Sequence, residues 1–112
     1  MPGKKPGNFI VQETEVYVLD EFMRKAVDDH RLYPSHISLF VALFYLWKEQ
    51  GYADGLNMRR DELMKRSKIV GRGTYQRCLR ELDKGGYIKY IPTFNRFANS
   101  LVFIIYERTL AV

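Results

Sequence analysis

Arginine and glutamine side chains on one short amphipathic segment are the groups of this sequence best suited to bind a partner. Apolar residues at i, i+3, i+4 and i+7 predict a helix from Gly73 or Thr74 to Lys84 with one buried face. That face is predicted to contain Tyr75, Cys78, Leu79 and Leu82. Arginine and glutamine pair with guanine and adenine edges in the major groove of DNA. We therefore predict that the outer face contacts DNA bases through Thr74, Gln76, Arg77 and Arg80.

An alternative interpretation of these arginines requires no nucleic acid. Arg77 and Glu81 are four residues apart, so on a helix they could form an ordinary surface ion pair worth about 0.3 kcal/mol. Arg80 would then be a solvated side chain. The residues alone leave both interpretations open, and the order of the surrounding elements favours DNA binding.

Further basic residues surround this segment and are predicted to hold DNA phosphates, since a phosphate contact requires no particular base. They are Lys65, Arg66, Lys68, Arg72, Lys84 and Arg96. Gly71 and Gly73 would allow the backbone to approach a phosphate closely, and a helix N-terminus attracts anions. Arg96 lies between Phe94 and Phe97, near the tip of a predicted hairpin. It either contacts a phosphate or the minor groove, or stays solvated while both rings fold back onto the hairpin.

The net charge of the chain is concentrated in the same region. The 112 residues contain 18 Lys and Arg against 13 Asp and Glu, which gives a net charge of +5. Residues 58–90 alone have a charge of +6, whereas residues 1–57 have −2 and the remainder has +1. A cationic middle third is typical of a phosphate-binding face, although a solvated helix surface would also produce it.

Other kinds of chemistry have little support in the sequence. His30 and His36 are the only histidines, and together with Cys78 on a buried helix face they make no zinc-ligand set. Asp28 and Asp29 are adjacent, so on a helix their carboxylates point apart and do not suit an acid–base pair. No glycine-rich nucleotide-binding motif occurs. We predict a protein without enzymatic activity, cofactor, metal or small-molecule ligand.

Length and composition predict one compact domain over residues 9–112, preceded by a flexible basic arm at 1–8. The single cysteine implies no internal disulfide. The first residues lack the apolar stretch of a secretory signal. The longest apolar run, residues 39–47, is too short to cross a membrane. We therefore expect a cytoplasmic protein with no membrane contact.

Local patterns predict the elements that would position the basic residues. The predicted order is an extended piece at 9–11, an amphipathic helix at about 17–30, a buried helix at about 36–50, a short strand near 56–58, a helix-turn-helix at about 60–84 and a hairpin at about 87–106. Ser35 is the candidate N-cap of the buried helix, and Ile69 is the predicted buried anchor of the turn. This is the order of a winged helix-turn-helix with an extra N-terminal helix, a mainly α protein with a small β-hairpin, of the α+β class.

The apolar stripe of the helix at about 17–30 has two possible partners. It either packs on the rest of the domain or pairs with a second copy of the chain. A homodimer would allow the protein to read two half-sites on double-stranded DNA. The sequence leaves both arrangements open.

Much of this pattern resembles a known family of proteins. The matching residues are His36-Ile37-Ser38-Leu39, Ala42-Leu43-Phe44, Trp47, Arg60-Asp61-Glu62-Leu63-Met64, Ser67-Lys68-Ile69, Thr74-Tyr75, Cys78-Leu79, Glu81-Leu82, Gly86-Tyr87-Ile88-Lys89-Tyr90-Ile91-Pro92 and Ser100. Over roughly residues 33–104 they resemble small winged-helix proteins of bacterial integrative and conjugative elements, which are described as transcriptional regulators. The helix and hairpin part is also similar to winged-helix domains of plasmid and phage replication initiators. One departure is Arg59, at a position where the pattern commonly has a capping serine.

The resemblance implies a sequence-specific DNA-binding protein that regulates transcription on a mobile element. Two further roles are compatible with the same fold, since one fold serves many functions. The protein could be a replication or excision accessory factor that binds origin or end DNA. It could instead use the winged helix for protein–protein contacts alone.

Overall fold

The computed structural model describes residues 6–93 and 99–106 of the chain. Over this part the elements are α1 (Pro6–Ala26), α2 (Pro34–Glu49), β1 (Leu56–Asn57), α3 (Arg60–Ser67), α4 (Arg72–Lys84), β2 (Ile88–Ile91) and β3 (Leu101–Ile104). The protein is mainly helical with a small antiparallel sheet, which confirms the predicted α+β class. None of the described helices is both long and apolar enough to cross a membrane.

The chain divides into two compact units. Among the described residues, the first unit comprises residues 6–30 and Tyr106. The second unit runs from Arg31 to Ile105. The second unit contains α2, α3, α4 and all three strands, and therefore every described residue predicted to contact DNA.

α1, the helix of the first unit, differs from its prediction at both ends. It begins at Pro6, inside the predicted arm, and continues through residues 9–11, where an extended piece is expected. Proline suits the first turn of a helix because the N–H that it lacks would have no partner there. α1 ends at Ala26, earlier than predicted. Asp28 and Asp29 follow, and a helix C-terminus disfavours negative charge. The start of the predicted arm lies outside the described residues.

α2 is the central helix of the second unit and packs against both α3 and α4. Its prediction as a buried helix is confirmed. The buried residues are His36, Leu39, Phe40, Ala42, Leu43, Phe44, Leu46 and Trp47. The predicted Ser35 cap is wrong: Tyr33 is the N-cap residue, and Pro34 takes the first helical position, which its fixed φ favours.

α3 and α4 are joined by a short turn, and the buried face of α4 is the one that the sequence predicts. Its buried residues are Tyr75, Cys78, Leu79 and Leu82. Ile69 anchors the turn with only 7% of its surface exposed. α3 follows Arg59, which makes no side-chain capping bond. The C-cap residue of α3 is Lys68, which has a left-handed conformation with φ of 65°. α4 begins at Arg72, slightly earlier than predicted, because Gly71 takes the N-cap position.

The sheet contains one strand more than the predicted hairpin. β2 and β3 pair in antiparallel fashion, with Ile88 opposite Ile104. The short strand β1 adds to the other edge of β3, with Leu56 opposite Val102, so the strand order is β1-β3-β2. Residues 94–98, which connect the hairpin strands, lie outside the described residues.

A substitution at Tyr75 tests the packing of the buried face of α4. This residue is 1% exposed, and its hydroxyl has no hydrogen-bond partner among the described residues. Burial also raises the pKa of the Tyr75 phenol. Replacing an unsatisfied buried hydroxyl with an apolar group is close to neutral or stabilising. We expect Tyr75→Phe to unfold in urea with unchanged or up to about 1 kcal/mol greater stability.

Leu79→Ala is the matched control on the same face. It should lose about 2–5 kcal/mol, since Leu79 is fully buried. A loss of more than about 1 kcal/mol in Tyr75→Phe would show that the hydroxyl is hydrogen-bonded, for example to a buried water.

Candidate nucleic-acid interface

Polar side chains in the first turns of α2 hold α3 and α4 in place. The Ser38 hydroxyl donates a hydrogen bond to the carbonyl of Ser67, the last residue of α3. The Cys78 thiol, on the buried face of α4, donates to the Ser35 hydroxyl at 3.4 Å. His36 bonds to α4 as well. The three side chains are close in sequence, so a single segment of α2 contacts both helices.

His36 is the most constrained of these side chains. It is fully buried, and both of its ring nitrogens are hydrogen-bonded. The Tyr33 backbone N–H donates to Nδ1 at 2.8 Å, so Nδ1 acts as an acceptor. Nε2 therefore has the proton and donates to Oε1 of Glu81 at 2.7 Å. This bond joins the beginning of α2 to α4. No group of three or more metal-ligating side chains occurs in the described ranges.

Arg66 links the end of α2 to α3. Its Nε lies 2.7 Å from Oε2 of Glu62, and its Nη2 lies 2.8 Å from Oε1 of Glu49. These hydrogen bonds raise the pKa of Arg66. The hydrogen bond from Arg66 is also the main cause that lowers the pKa of Glu62. Two carboxylates thus neutralise the charge of Arg66. The sequence predicts that Arg66 holds a DNA phosphate and does not predict this structural role.

Three basic residues share the exposed face of α4, opposite its buried face. Arg77, Arg80 and Lys84, which we call the cationic stripe, are spaced at i, i+3 and i+7 and are all exposed. Together with Glu81 and Asp83 they line a shallow depression of about 440 Å³. Arg77 is 56% exposed, and its Nε lies 3.9 Å from Oε1 of Glu81, at the limit of an ion pair. Arg80 and Lys84 form no ion pair with any described residue.

The other two predicted base contacts on α4 are less accessible than the stripe. Thr74 and Gln76 are both half-buried. Both lie in the first half of α4, close to the N-terminal end of the helix. They therefore flank the stripe and are not part of its exposed ridge.

A second cationic surface lies where α3, the turn and the start of α4 meet. It is an open groove of about 450 Å³, which we call the turn groove. Its lining residues are Asp61, Met64, Lys65, Lys68, Ile69, Val70 and Arg72. Lys65, Lys68 and Arg72 are exposed, and in the described part of the chain none of them forms an ion pair. Val70 lines the same groove and is 92% exposed. The sequence pattern did not predict an exposed valine beside these cations.

Among the described residues, the structure thus divides the predicted phosphate contacts into three groups. Lys65, Lys68 and Arg72 gather at the turn groove, and Lys84 belongs to the cationic stripe. Arg66 is bound to carboxylates. Arg96 lies outside the described residues, together with both neighbouring phenylalanines.

Comparison with known proteins adds nothing to this geometry. No protein-family model, curated protein or solved structure matches the chain. The resemblance to winged-helix regulators therefore stays a prediction from the sequence, and the arrangement of charges in the second unit is the observation on which a function can be based.

The ion pair between Arg66 and Glu62 predicts a pH dependence of stability. Because the pKa of Glu62 is lowered below its ordinary value of 4.5, its contribution is fully present above that pH. It is lost as the pH falls through the lower pKa of the folded state. We expect Glu62→Gln to be less stable than the wild type at neutral pH, and the difference to disappear on acidification. Urea unfolding across the acidic range measures this.

Asp61→Asn is the matched control, since Asp61 is also an acid in the first turn of α3 but makes no bond to Arg66. Both variants lose the same favourable interaction with the helix N-terminus. If the two variants show the same dependence on pH, the ion pair between Arg66 and Glu62 does not contribute to stability.

Proposed function

We propose that the protein binds double-stranded DNA in a sequence-specific manner, with α3, the turn and α4 as a helix-turn-helix and the β2–β3 hairpin as its wing. The observation on which this proposal rests is the set of six exposed cations on the turn groove and the cationic stripe. Of these six cations, only Arg77 has a carboxylate of a described residue within ion-pair distance. Cations that lie close together without a carboxylate partner repel one another, so each of these two surfaces favours a polyanionic partner.

The two cationic surfaces suit different parts of a DNA duplex. α4 has a regular exposed ridge, and a helix of this kind fits the major groove. Arg77 and Arg80 would contact base edges there, with Thr74 and Gln76 beside the N-terminal end of the helix. The lysines and Arg72 of the turn groove, and Lys84 at the far end of α4, would hold phosphates on either side. Arg66 is left out of the contact set because its guanidinium is bound to Glu49 and Glu62.

The proposed biological role is regulation of transcription on a mobile element, without enzymatic activity. This part of the proposal depends on the resemblance found in the sequence. Selection of bound sequences from a random duplex library is the experiment that tests DNA recognition. A single enriched motif supports it, and a two-fold symmetric motif additionally indicates a homodimer. Failure to enrich any sequence, together with no binding at low salt, contradicts the proposal.

The cationic stripe gives the first prediction on binding. Arg77→Ala combined with Arg80→Ala should abolish enrichment of a motif and weaken binding to the selected duplex by at least about tenfold, since each good base contact is worth about 1–3 kcal/mol. Fluorescence anisotropy with a labelled duplex measures this. Lys25→Ala combined with Lys48→Ala is the control, because it removes the same charge from α1 and α2. An equal loss of DNA affinity in the two double variants would show that only the net charge of the protein matters.

The turn groove gives a prediction on salt dependence. If Lys65, Lys68, Arg72 and Lys84 each hold a phosphate, log K should fall by about 3.6 per unit of log salt, at about 0.9 per contact. Lys68→Ala should lower this slope by about 0.9 and weaken all sequences alike.

Arg66→Ala is the contrasting variant for the same measurement. It should lower stability, because it leaves Glu49 and Glu62 without their partner. It should nevertheless leave the salt slope of the folded protein unchanged. If Arg66→Ala lowers the salt slope as much as Lys68→Ala does, Arg66 also contacts a phosphate.

A further inference from the structure

Glu81 is an acid placed among the cations of the proposed DNA surface. It lines the same depression as Arg77, Arg80 and Lys84. Its side chain is 46% exposed, yet one of its carboxylate oxygens is held by a histidine with no exposed surface. Since both ring nitrogens of that histidine are bonded, the ring is fixed, and it fixes the carboxylate in turn. A negative charge is thereby held at a set position on a surface that is otherwise cationic.

The same carboxylate oxygen lies close to Arg77. Oε1 of Glu81 accepts the hydrogen bond from His36 and is 3.9 Å from Nε of Arg77. The nitrogen nearest the carboxylate is thus Nε, and the terminal amino groups of Arg77 remain available. A bidentate contact to guanine O6 and N7 can use those terminal groups. A phosphate at Arg77, by contrast, would bring a second negative charge close to Glu81, which costs electrostatic energy.

We propose that Glu81 determines specificity by acting through Arg77: it orients the guanidinium for a base edge and disfavours a phosphate at the same place. This inference rests on the proposed DNA binding. Discrimination against a wrong ligand by a fixed like charge is a general way to gain specificity without gaining affinity. Glu81 is therefore a positioning residue whose removal strengthens non-specific binding, the opposite of what loss of a DNA contact would do.

Glu81→Gln separates this role from the structural one. Glutamine retains a side-chain oxygen that can accept the hydrogen bond from Nε2 of His36, but it has no charge. The variant should therefore unfold at the wild-type temperature. Asp83→Asn is the charge-matched control, because Asp83 lies on the same helix and lines the same depression. Among the described residues, Asp83 forms no ion pair with Arg77 and no hydrogen bond with His36.

The measurement compares the dissociation constants for the duplex selected from a random library and for a scrambled duplex of equal composition. We expect Glu81→Gln to bind the scrambled duplex about fivefold more tightly, as removal of one nearby charge predicts. Its affinity for the selected duplex should change by less than about twofold, so the specificity ratio falls. The salt slope on the scrambled duplex should steepen by about 0.9, since Arg77 gains a phosphate. Asp83→Asn should change both affinities in parallel and leave the ratio unchanged.

An Arg77→Ala background shows whether the effect depends on Arg77. There, Glu81→Gln should alter neither the ratio nor the slope. An unchanged ratio in Glu81→Gln, or an equal fall in Asp83→Asn, overturns the role of Glu81 and leaves DNA binding intact. If the wild type binds neither duplex, DNA binding itself fails, and the role of Glu81 fails with it.

Discussion

The hydrogen bond between His36 and Glu81 is the constraint on which the second unit of this protein depends. A fully buried imidazole must have partners for both ring nitrogens, because an unsatisfied polar group in the interior costs about 1–3 kcal/mol. One partner is the backbone N–H of Tyr33, which fixes the start of α2. The other is Glu81, whose carboxylate lies on the exposed side of α4. The need of buried His36 for a hydrogen-bond partner thus fixes the position of the Glu81 charge on the surface.

Pairing of charges then divides the basic residues into two kinds. Arg66 lies against Glu49 and Glu62 and joins α3 to the end of α2. The lysines of the turn groove and the cationic stripe have no comparable partners among the described residues. Basic residues in the middle of the sequence therefore have two roles in the folded chain. Arg66 joins two helices, and six others form the turn groove and the cationic stripe.

Most of the local structure could be predicted from the sequence, because periodic burial is visible there. The buried face of α4 and the anchor at Ile69 follow from the spacing of apolar residues alone. The start of α1 was missed because Pro6 suggests a flexible arm as readily as a first helical turn. The bonds from Arg66 to Glu49 and from His36 to Glu81 could not be predicted, since Glu49 is 17 residues from Arg66 and Glu81 is 45 residues from His36. No periodicity reports which surface charges meet after the chain has folded.

An NMR titration of the labelled protein with duplex DNA at low salt tests the proposed DNA-binding surface most directly, because it reports on each backbone amide separately. We expect the largest shifts in the turn groove and along the cationic stripe, from Lys65 to Lys84, with small shifts at the end of α2 near Glu49. Shifts that are absent at equimolar duplex, or that are confined to residues outside α3, the turn, α4 and the hairpin, would contradict DNA binding through this surface.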